Sequence, residues 1–385
     1  MYSILSNADH GLTNQTMNQI NTSAEINGRS NSKIRFTPNT EFEKELKKRV
    51  SVYFEENPVS KKDNGTMYLK TFIAVLWVAA SYSLLVFAGL PVWGLILAAV
   101  SLSVALNALS FNVMHDALHG AYSERPWVNK LMGHFLDLIG GSSYFWYRKH
   151  NYFHHSYPNI AGHDDDIEAG IFARLSPHHK RYFFHRFQHI YIWPLYGFLA
   201  IKWHLFDDFY TFFTKKINGH EIDRPGGWDA AVFFGGKLFF LTMAFVIPLF
   251  FYPVLYVIVF YMLVALLQGL IMSVVFQLAH CNEDAGFPMH SGETKQMGTS
   301  WMVHQLSTTT DFGKDNHFLT WYLGGLNYQV EHHLFPKICH VNYPALSRIV
   351  EDTCREYSVT YNAYKGFFSG LRSHYKWLRF LGQAG

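Results

Sequence analysis

Charge is the first scarcity. Asp, Glu, Lys and Arg make up 16% of the 385 residues, against roughly 25% in an average soluble chain. The net charge of +3 is too small for a nucleic-acid-binding surface, so no nucleic-acid partner is expected. Cysteine is also scarce. Cys281, Cys339 and Cys354 are an odd number without C-x-x-C spacing, which excludes a disulfide framework and a zinc ribbon. They read as small apolar residues on a reducing face. Residues 1–36 contain no signal-like apolar run; rich in Asn, Ser and Thr, they read as a disordered polar tail. What is abundant points the other way. Aromatic residues reach 17%, with 34 Phe and 23 Tyr, and there are 22 histidines. Few charges and many large rings suit a chain partly surrounded by lipid.

Two stretches are long enough to cross a bilayer twice. From Thr71 to Met114 there is no Asp, Glu, Lys or Arg, and Gly89-Leu90-Pro91 supplies a turn. From Ala230 to Asn282 the only charge is Lys237, and the break falls near Pro248 to Pro253. Every other Lys and Arg lies in 1–70, 113–229 or 283–385. The positive-inside rule therefore puts those three segments in the cytoplasm. Lys237, about two turns in from Asp229, reads as snorkelling to the interface, with a proton relay or substrate counter-ion as the sharper alternative.

The expected architecture is all-α and membrane-integral, with four transmembrane helices in two hairpins capped by a cytosolic helical domain. Its parts are the tail 1–36, a cytosolic amphipathic helix in 37–70, hairpin one at 71–114, a cytosolic segment at 115–229, hairpin two at 230–281 and a cytosolic segment at 282–385. In the amphipathic helix, Thr40 and Glu43 have capping-box spacing. Phe42, Leu46, Val50, Tyr53 and Phe54 share a face opposite Lys44, Lys47, Lys48 and Arg49. Such a helix lies on the membrane or packs on the cytosolic domain. Residues 361–382 interleave aromatic and basic residues and read as an interfacial anchor.

The histidines cluster at the ends of these stretches. Residues 115–119 read HDALH, 150–155 HNYFHH and 329–333 QVEHH, and His280 closes the fourth apolar segment. On a helix His115 and His119 share a face, as do His150 and His154, while His155 points about 100° away. Adjacent His332 and His333 cannot aim at one point on a regular helix, but such a pair can serve two neighbouring ions. Any single histidine is more simply satisfied by backbone or water. Three spaced groups at one membrane depth argue for metal. Imidazole suits zinc, copper, iron and nickel, and eight histidines are too many for one ion and about right for two.

Together, HDALH, HNYFHH and QVEHHLFP, with the two hairpins, resemble the membrane fatty acid desaturases over roughly residues 35–360. Glutamine opening the third group, within GGLNYQVEHHLFP, and the run SSYFWYRKHNYFHHSYPNI resemble the front-end branch, the delta-5 and delta-6 enzymes, which act between an existing double bond and the carboxyl end. The resemblance implies two iron ions held by His115, His119, His150, His154, His155, His280, His332 and His333 on the cytosolic face. Gln329 stands where many desaturases have histidine, and so is a weak or water-mediated ligand. Gln277 lies three residues before His280 and can hold a water there. Asp164 and Asp166, in GHDDDIE, are candidates to orient ligating imidazoles, with a solvated loop as the plainer role. His304 is a candidate for the same task. Trp146, Tyr147, Trp301, Trp321 and Tyr322 are candidates to line a substrate tunnel, core packing being the plainer role of each. Arg148 and Lys149 are candidates for a headgroup or acyl-CoA phosphate, and equally for membrane-surface charge.

An unactivated methylene needs metal chemistry. Two irons, O2 and two external electrons are therefore expected to convert a fatty acyl chain, CoA- or lipid-linked, to a cis-unsaturated one with release of two waters. No HPGG haem motif is present, so a separate donor is expected, either a ferredoxin or a cytochrome b5. A bacterial inner membrane is favoured. A fatty acyl hydroxylase or other lipid oxidase on the same fold is the nearest alternative. A metal transporter would need ionisable ligands within the spans. A membrane haem protein would leave most of the histidines unexplained.

Overall fold

The computed structural model describes residues 34–291 and 295–383. The protein is mostly helical, and among the described residues four helices are long and apolar enough to cross a membrane. They are α2 (Gly65–Phe87) and α3 (Val92–Leu118), then α6 (Gly227–Leu249) and α7 (Val254–His280). Helix α1 (Glu41–Glu56) precedes them. The α2–α3 turn uses Gly89 at φ +59°, a left-handed conformation that glycine adopts without penalty. Pro253 stands just before α7 and Pro91 just before α3, where a missing N–H costs no helical bond.

Two charges inside these helices are turned inward. Lys70, in α2, places Nζ 2.6 Å from His340 Nε2. Lys237, in α6, is 4% exposed. Its ammonium meets Asp208 Oδ2 at 2.7 Å and donates to the carbonyls of Gly140 and Trp203. The expected snorkelling is thus corrected. The charge is buried against a carboxylate from another segment.

The segment between the hairpins is less polar than its charge count implied. It holds α4 (Ser143–Tyr147) and the apolar α5 (Gln188–Lys202). Helix α5 lies against α7 where two glycines meet. A Cβ on Gly269 would come within 2.3 Å of the Gly197 carbonyl oxygen, so the two backbones touch. Helix α5 buries Ile192, Tyr196 and Ala200 and exposes Ile190 and Phe198.

The carboxyl-terminal third contributes α8 (Trp301–Thr308), α9 (Gln329–Leu334), α10 (Tyr343–Glu356) and α11 (Phe367–Gln383). Helix α1 packs on this part. Phe42, Leu46 and Val50 share one core with Leu346 and Val350, and burial of each contributes about 1.5–3 kcal/mol. Thr40 Oγ1 accepts from the Glu43 N–H, but the Glu43 carboxylate accepts from the Met302 N–H instead of closing a capping box. Helix α11 buries His374, Leu378 and Leu381 and turns Phe368 and Phe380 outward.

Among the described residues there are three small sheets, two of which tie distant segments while the third is a local hairpin. β1 (Arg35–Thr37) pairs with β4 (Gln296–Ser300), β2 (Lys216–Ile217) with β3 (His220–Glu221), and β5 (Asp311–Phe312) with β6 (Ala363–Tyr364). The expected tail therefore ends earlier than residue 36. Ile34 is buried with Ile160 and Met297, and Phe36 lies against Tyr157 and His304. The rest of that tail, 1–33, lies outside the described residues.

Candidate metal centre

Backbone winding decides where the histidines point. Helix α3 changes to π winding over Ser110–Met114, directly before His115. The second group sits on another π segment, Arg148–His154, which continues α4. There the His155 N–H donates to the His150 carbonyl at 2.9 Å. This i to i+5 bond brings the sixth residue back over the first. His155 Nε2 consequently lies 3.2 Å from His150 Nε2. The angle of about 100° expected for a regular helix does not apply, and His150, His154 and His155 all turn inward.

The buried imidazoles form two sets with a shared edge. His115, His119, His150 and His332 bring one ligand atom each within 4.8 Å of one another, and His154, His280 and His333 do the same. His155 joins His332 and His333 in a third such group between them. On the short helix α9, the rings of His332 and His333 diverge by 88°, one toward each set.

Four of the eight outer nitrogens have hydrogen-bonding neighbours. His154 Nδ1 donates to Asp164 Oδ1 at 3.0 Å, His333 Nδ1 to Gln305 Oε1 at 2.8 Å and His280 Nδ1 to the Thr308 carbonyl at 3.2 Å. His332 Nδ1 lies 3.3 Å from the Tyr343 hydroxyl. The inner nitrogens of His115, His119, His332 and His333 are buried with no hydrogen-bond partner among the described residues. Fixed outer nitrogens and unfilled inner lone pairs are the donor set that a metal completes.

Electrostatics agree. Burial, reinforced by neighbouring imidazoles, holds His119, His155, His332 and His333 well below the usual histidine range, and lowers His150 to about 3. They are therefore neutral, as metal ligation requires. For His154 burial acts in the same direction, but Asp164 and Asp166 outweigh it and raise the value.

The other candidates divide. Asp164 holds His154 and also accepts from the Asn159 N–H at 2.8 Å. Asp166 lies 3.7 Å from His150 Nδ1. Gln329 Nε2 lies 3.0 Å from His280 Nε2, and the amide turned over would offer its oxygen there. Gln277 donates to the Asp166 carbonyl. His304 points away from the imidazole sets. Its Nε2 donates to the Pro158 carbonyl, and its neighbour Gln305 makes the contact with His333.

A cavity of about 800 Å³ adjoins the centre. Trp146 lines it and stacks on His150 at 4.2 Å. Tyr147, Trp301, Trp321 and Tyr322 lie outside its wall. Tyr147 is 37% exposed. Trp301 packs on the α1 core, Trp321 lies under the Lys70 ammonium, and the Tyr322 hydroxyl donates to the Val104 carbonyl. Lys149 lines the cavity but is already paired with Asp165 at 2.8 Å and Asp166 at 3.2 Å. Burial disfavours its charge, yet those carboxylates outweigh burial and raise its value. Arg148 lies over the Tyr144 ring and donates to the Tyr144 carbonyl. All three cysteines are buried, and none belongs to these groups.

Sequence reasoning passed over Gln305, Asn159, Tyr343 and the Asp116–His340 pair. Asn159 donates to the carbonyls of His280 and Gly286, and so ties the second histidine group to the end of α7. Asp116 Oδ2 accepts from His340 Nδ1 at 2.9 Å, in line with Lys70. The only sequence signal was the place of Asp116 inside HDALH.

Among the described residues, four helices long and apolar enough to cross a membrane occur together with buried histidine clusters that fit a metal site. Residues 91–365 match the family model described as fatty acid desaturase, and the chain belongs to that family. It is 38% identical to an sn-1 linoleoyl-lipid 6-desaturase of Synechocystis sp. over 91% of this chain and 98% of that one. It is likewise 38% identical to a protein of the same description from Arthrospira platensis, over 90% and 94%. An acyl-lipid (8-3)-desaturase of Physcomitrium patens is 34% identical over 89% of this chain and 72% of its own length. The protein is accordingly an oxidoreductase that desaturates fatty acyl chains, and its buried histidine clusters fit a metal site.

Proposed function

We propose that the protein inserts a cis double bond on the carboxyl side of an existing one in a lipid-linked fatty acyl chain, using two irons, O2 and a separate electron donor. The observation that carries this reading is the pair of buried imidazole sets next to a cavity lined by Trp146, which stacks on His150. The relatives' acyl-lipid specificity supports the substrate class. His115, His119, His150 and His332 would hold one ion and His154, His280 and His333 the other, with His155 between them and Gln329 beside His280. The bound irons supply the oxidant that an unactivated methylene requires.

The protein's own groups do the rest. Asp164, Gln305, Tyr343 and the Thr308 carbonyl fix ring orientation. Asp166 orients His150. Trp146 limits how an acyl chain lies against the centre. The balance is one O2, two electrons and two protons, with two hydrogens leaving adjacent carbons and two waters formed. The two electrons come from a ferredoxin or a cytochrome b5. Helices α2, α3, α6 and α7 would cross a bacterial inner membrane as two hairpins with the histidines on the cytoplasmic side, as the distribution of Lys and Arg supports.

The test is lipid analysis of a host expressing the chain and supplied with linoleate, beside a His154→Ala control and with a matching donor co-expressed. A new carboxyl-side double bond absent from the control is the expected result. A hydroxylated product would move the protein to the lipid hydroxylases, and iron-free, inactive protein would overturn the reading.

A further inference from the structure

One side of the cavity beside the histidines is formed by the β2–β3 hairpin, through Lys216, Ile217 and Asn218. The chain turns here on two left-handed residues, Asn218 at φ +46° and Gly219 at φ +79°. Asparagine and glycine tolerate that region better than most residues. The hairpin is held at both ends. His220 stacks on Phe153, within the second histidine group, with ring centroids 4.8 Å apart. Arg224 donates to the carbonyls of Phe212 and Phe213, and the Ile222 N–H to the Lys215 carbonyl. The turn is therefore tied to the segment that carries His150, His154 and His155.

Two buried side-chain atoms of this cavity wall have no hydrogen-bond partner among the described residues, Gln277 Oε1 and Asn218 Nδ2. Buried polar atoms are ordinarily paired, so each marks a place for a complementary group. Gln277 Oε1 accepts, whereas Asn218 Nδ2 donates. The ammonium groups of the wall are differently engaged: Lys149 is paired with Asp165 and Asp166, and Lys202 lies 3.5 Å from Asp207. An esterified acyl chain carries acceptors and no donor at its carboxyl end. It can satisfy Asn218 and cannot satisfy Gln277. The same wall includes Ile171, Phe172 and Phe198, all exposed where the cavity reaches the surface. An apolar rim of this kind suits a substrate that arrives from lipid.

The geometry points to Asn218 as the residue that fixes the carboxyl end of the substrate: its Nδ2–H donates to the carbonyl oxygen of the ester linking the acyl chain to its lipid. The chain then runs along the apolar wall, past Phe145 and Trp146, toward the imidazoles. This rests on the desaturase reading and adds the origin from which carbons are counted. An ester held at a fixed turn decides which methylene comes to lie beside the centre.

The parent chain, Asn218→Gly and Asn218→Asp are each expressed in full with the electron donor in cells supplied with linoleate. Both replacements accept the left-handed backbone, so the turn is kept. Aspartate keeps the shape of asparagine, but as a carboxylate it offers no donor. Lipids are separated by headgroup, and double bonds are located by mass spectrometry. New unsaturation is expected to fall about two- to tenfold in Asn218→Gly, the range for one lost neutral hydrogen bond. It should fall further in Asn218→Asp, where a negative charge faces the carbonyl oxygen. The remaining double bonds should spread to neighbouring positions, equally in every headgroup class, with bound metal as in the parent. A merely structural role for Asn218 would not move the double bond. If Asn218→Asp does not accumulate, Asn218→Gly decides alone, because glycine relaxes the turn. Unchanged amount and position would overturn the inference. So would a loss confined to one headgroup class, which would put Asn218 on the headgroup, or a loss with depleted metal, which would make it a support of the histidine segment. A parent chain that forms no new double bond would instead overturn the desaturase reading, and the inference with it.

Discussion

Around the histidines four of the eight outer nitrogens have a named neighbour, drawn from Asp164, Gln305, Tyr343 and the Thr308 carbonyl. Among the long helices, a cavity of about 480 Å³ is bounded mainly by aliphatic and aromatic side chains. The first region is specified by direction, because each hydrogen bond fixes a ring angle. The second is specified by volume, because dispersion contacts have no preferred direction. Loss of one group should therefore be abrupt in the first and graded in the second.

The largest effect should come from the imidazoles. His154→Ala and His332→Ala are each expected to remove desaturation by more than about a hundredfold and to lower bound metal, read by product analysis and by metal content of purified protein. Retained activity in both would break the comparison at its root. One step outward, Gln305→Leu releases the outer nitrogen of His333 without touching the inner one. A loss of about 10–100-fold in metal affinity or activity is expected with folding intact; Gln305→Glu, which keeps an acceptor there, should recover much of it.

Lys237→Met tests a buried pair away from the imidazole sets. It orphans Asp208, and a loss of about 3 kcal/mol in stability is expected by denaturation in detergent. Burial already pushes Asp208 up to about 6, so the loss should shrink as the pH falls and the acid protonates. Replacing both partners by apolar residues should cost less than replacing Lys237 alone.

A smaller, distributed effect is pH dependence of stability. Burial lowers His304 and His374 to about 4 and His204 to about 3. In the unfolded chain they titrate near 6.5. The unfolded state therefore binds more protons, and the stabilisation is present above that value and lost as pH falls toward 4. The melting temperature should drop between pH 7 and 5. Replacing His374 by Gln, which can still donate to the Cys281 carbonyl, should flatten the drop slightly. A melting temperature that rose on acidification would contradict this account.

How much was legible in the sequence follows the same division. The four apolar helices could be located because the absence of charge over a bilayer's width is a local property. Yet α2 starts at Gly65, before the uncharged run, where the Asn64 side chain caps it, and Lys70 within it bonds inside the protein. The three histidine groups were visible through their spacing. Their aim was not, because the π turns at Ser110–Met114 and Arg148–His154 alter which residues share a face. The aromatic candidates for the tunnel separated badly. Trp146, Tyr147, Trp301, Trp321 and Tyr322 are alike as residue types, and only Trp146 reaches the cavity beside the centre.

By itself, then, the sequence determined composition-level and short-range facts: apolar lengths, the bias of positive charge and histidines repeated at helical intervals. These depend on neighbours within one or two turns. Tertiary structure alone decided which distant groups meet. It set Gln305 on His333, Asn159 on the carbonyl of His280 and Asp208 on Lys237. Each of those pairings joins segments far apart in the chain, and their geometry comes from packing of whole helices, which no local pattern encodes.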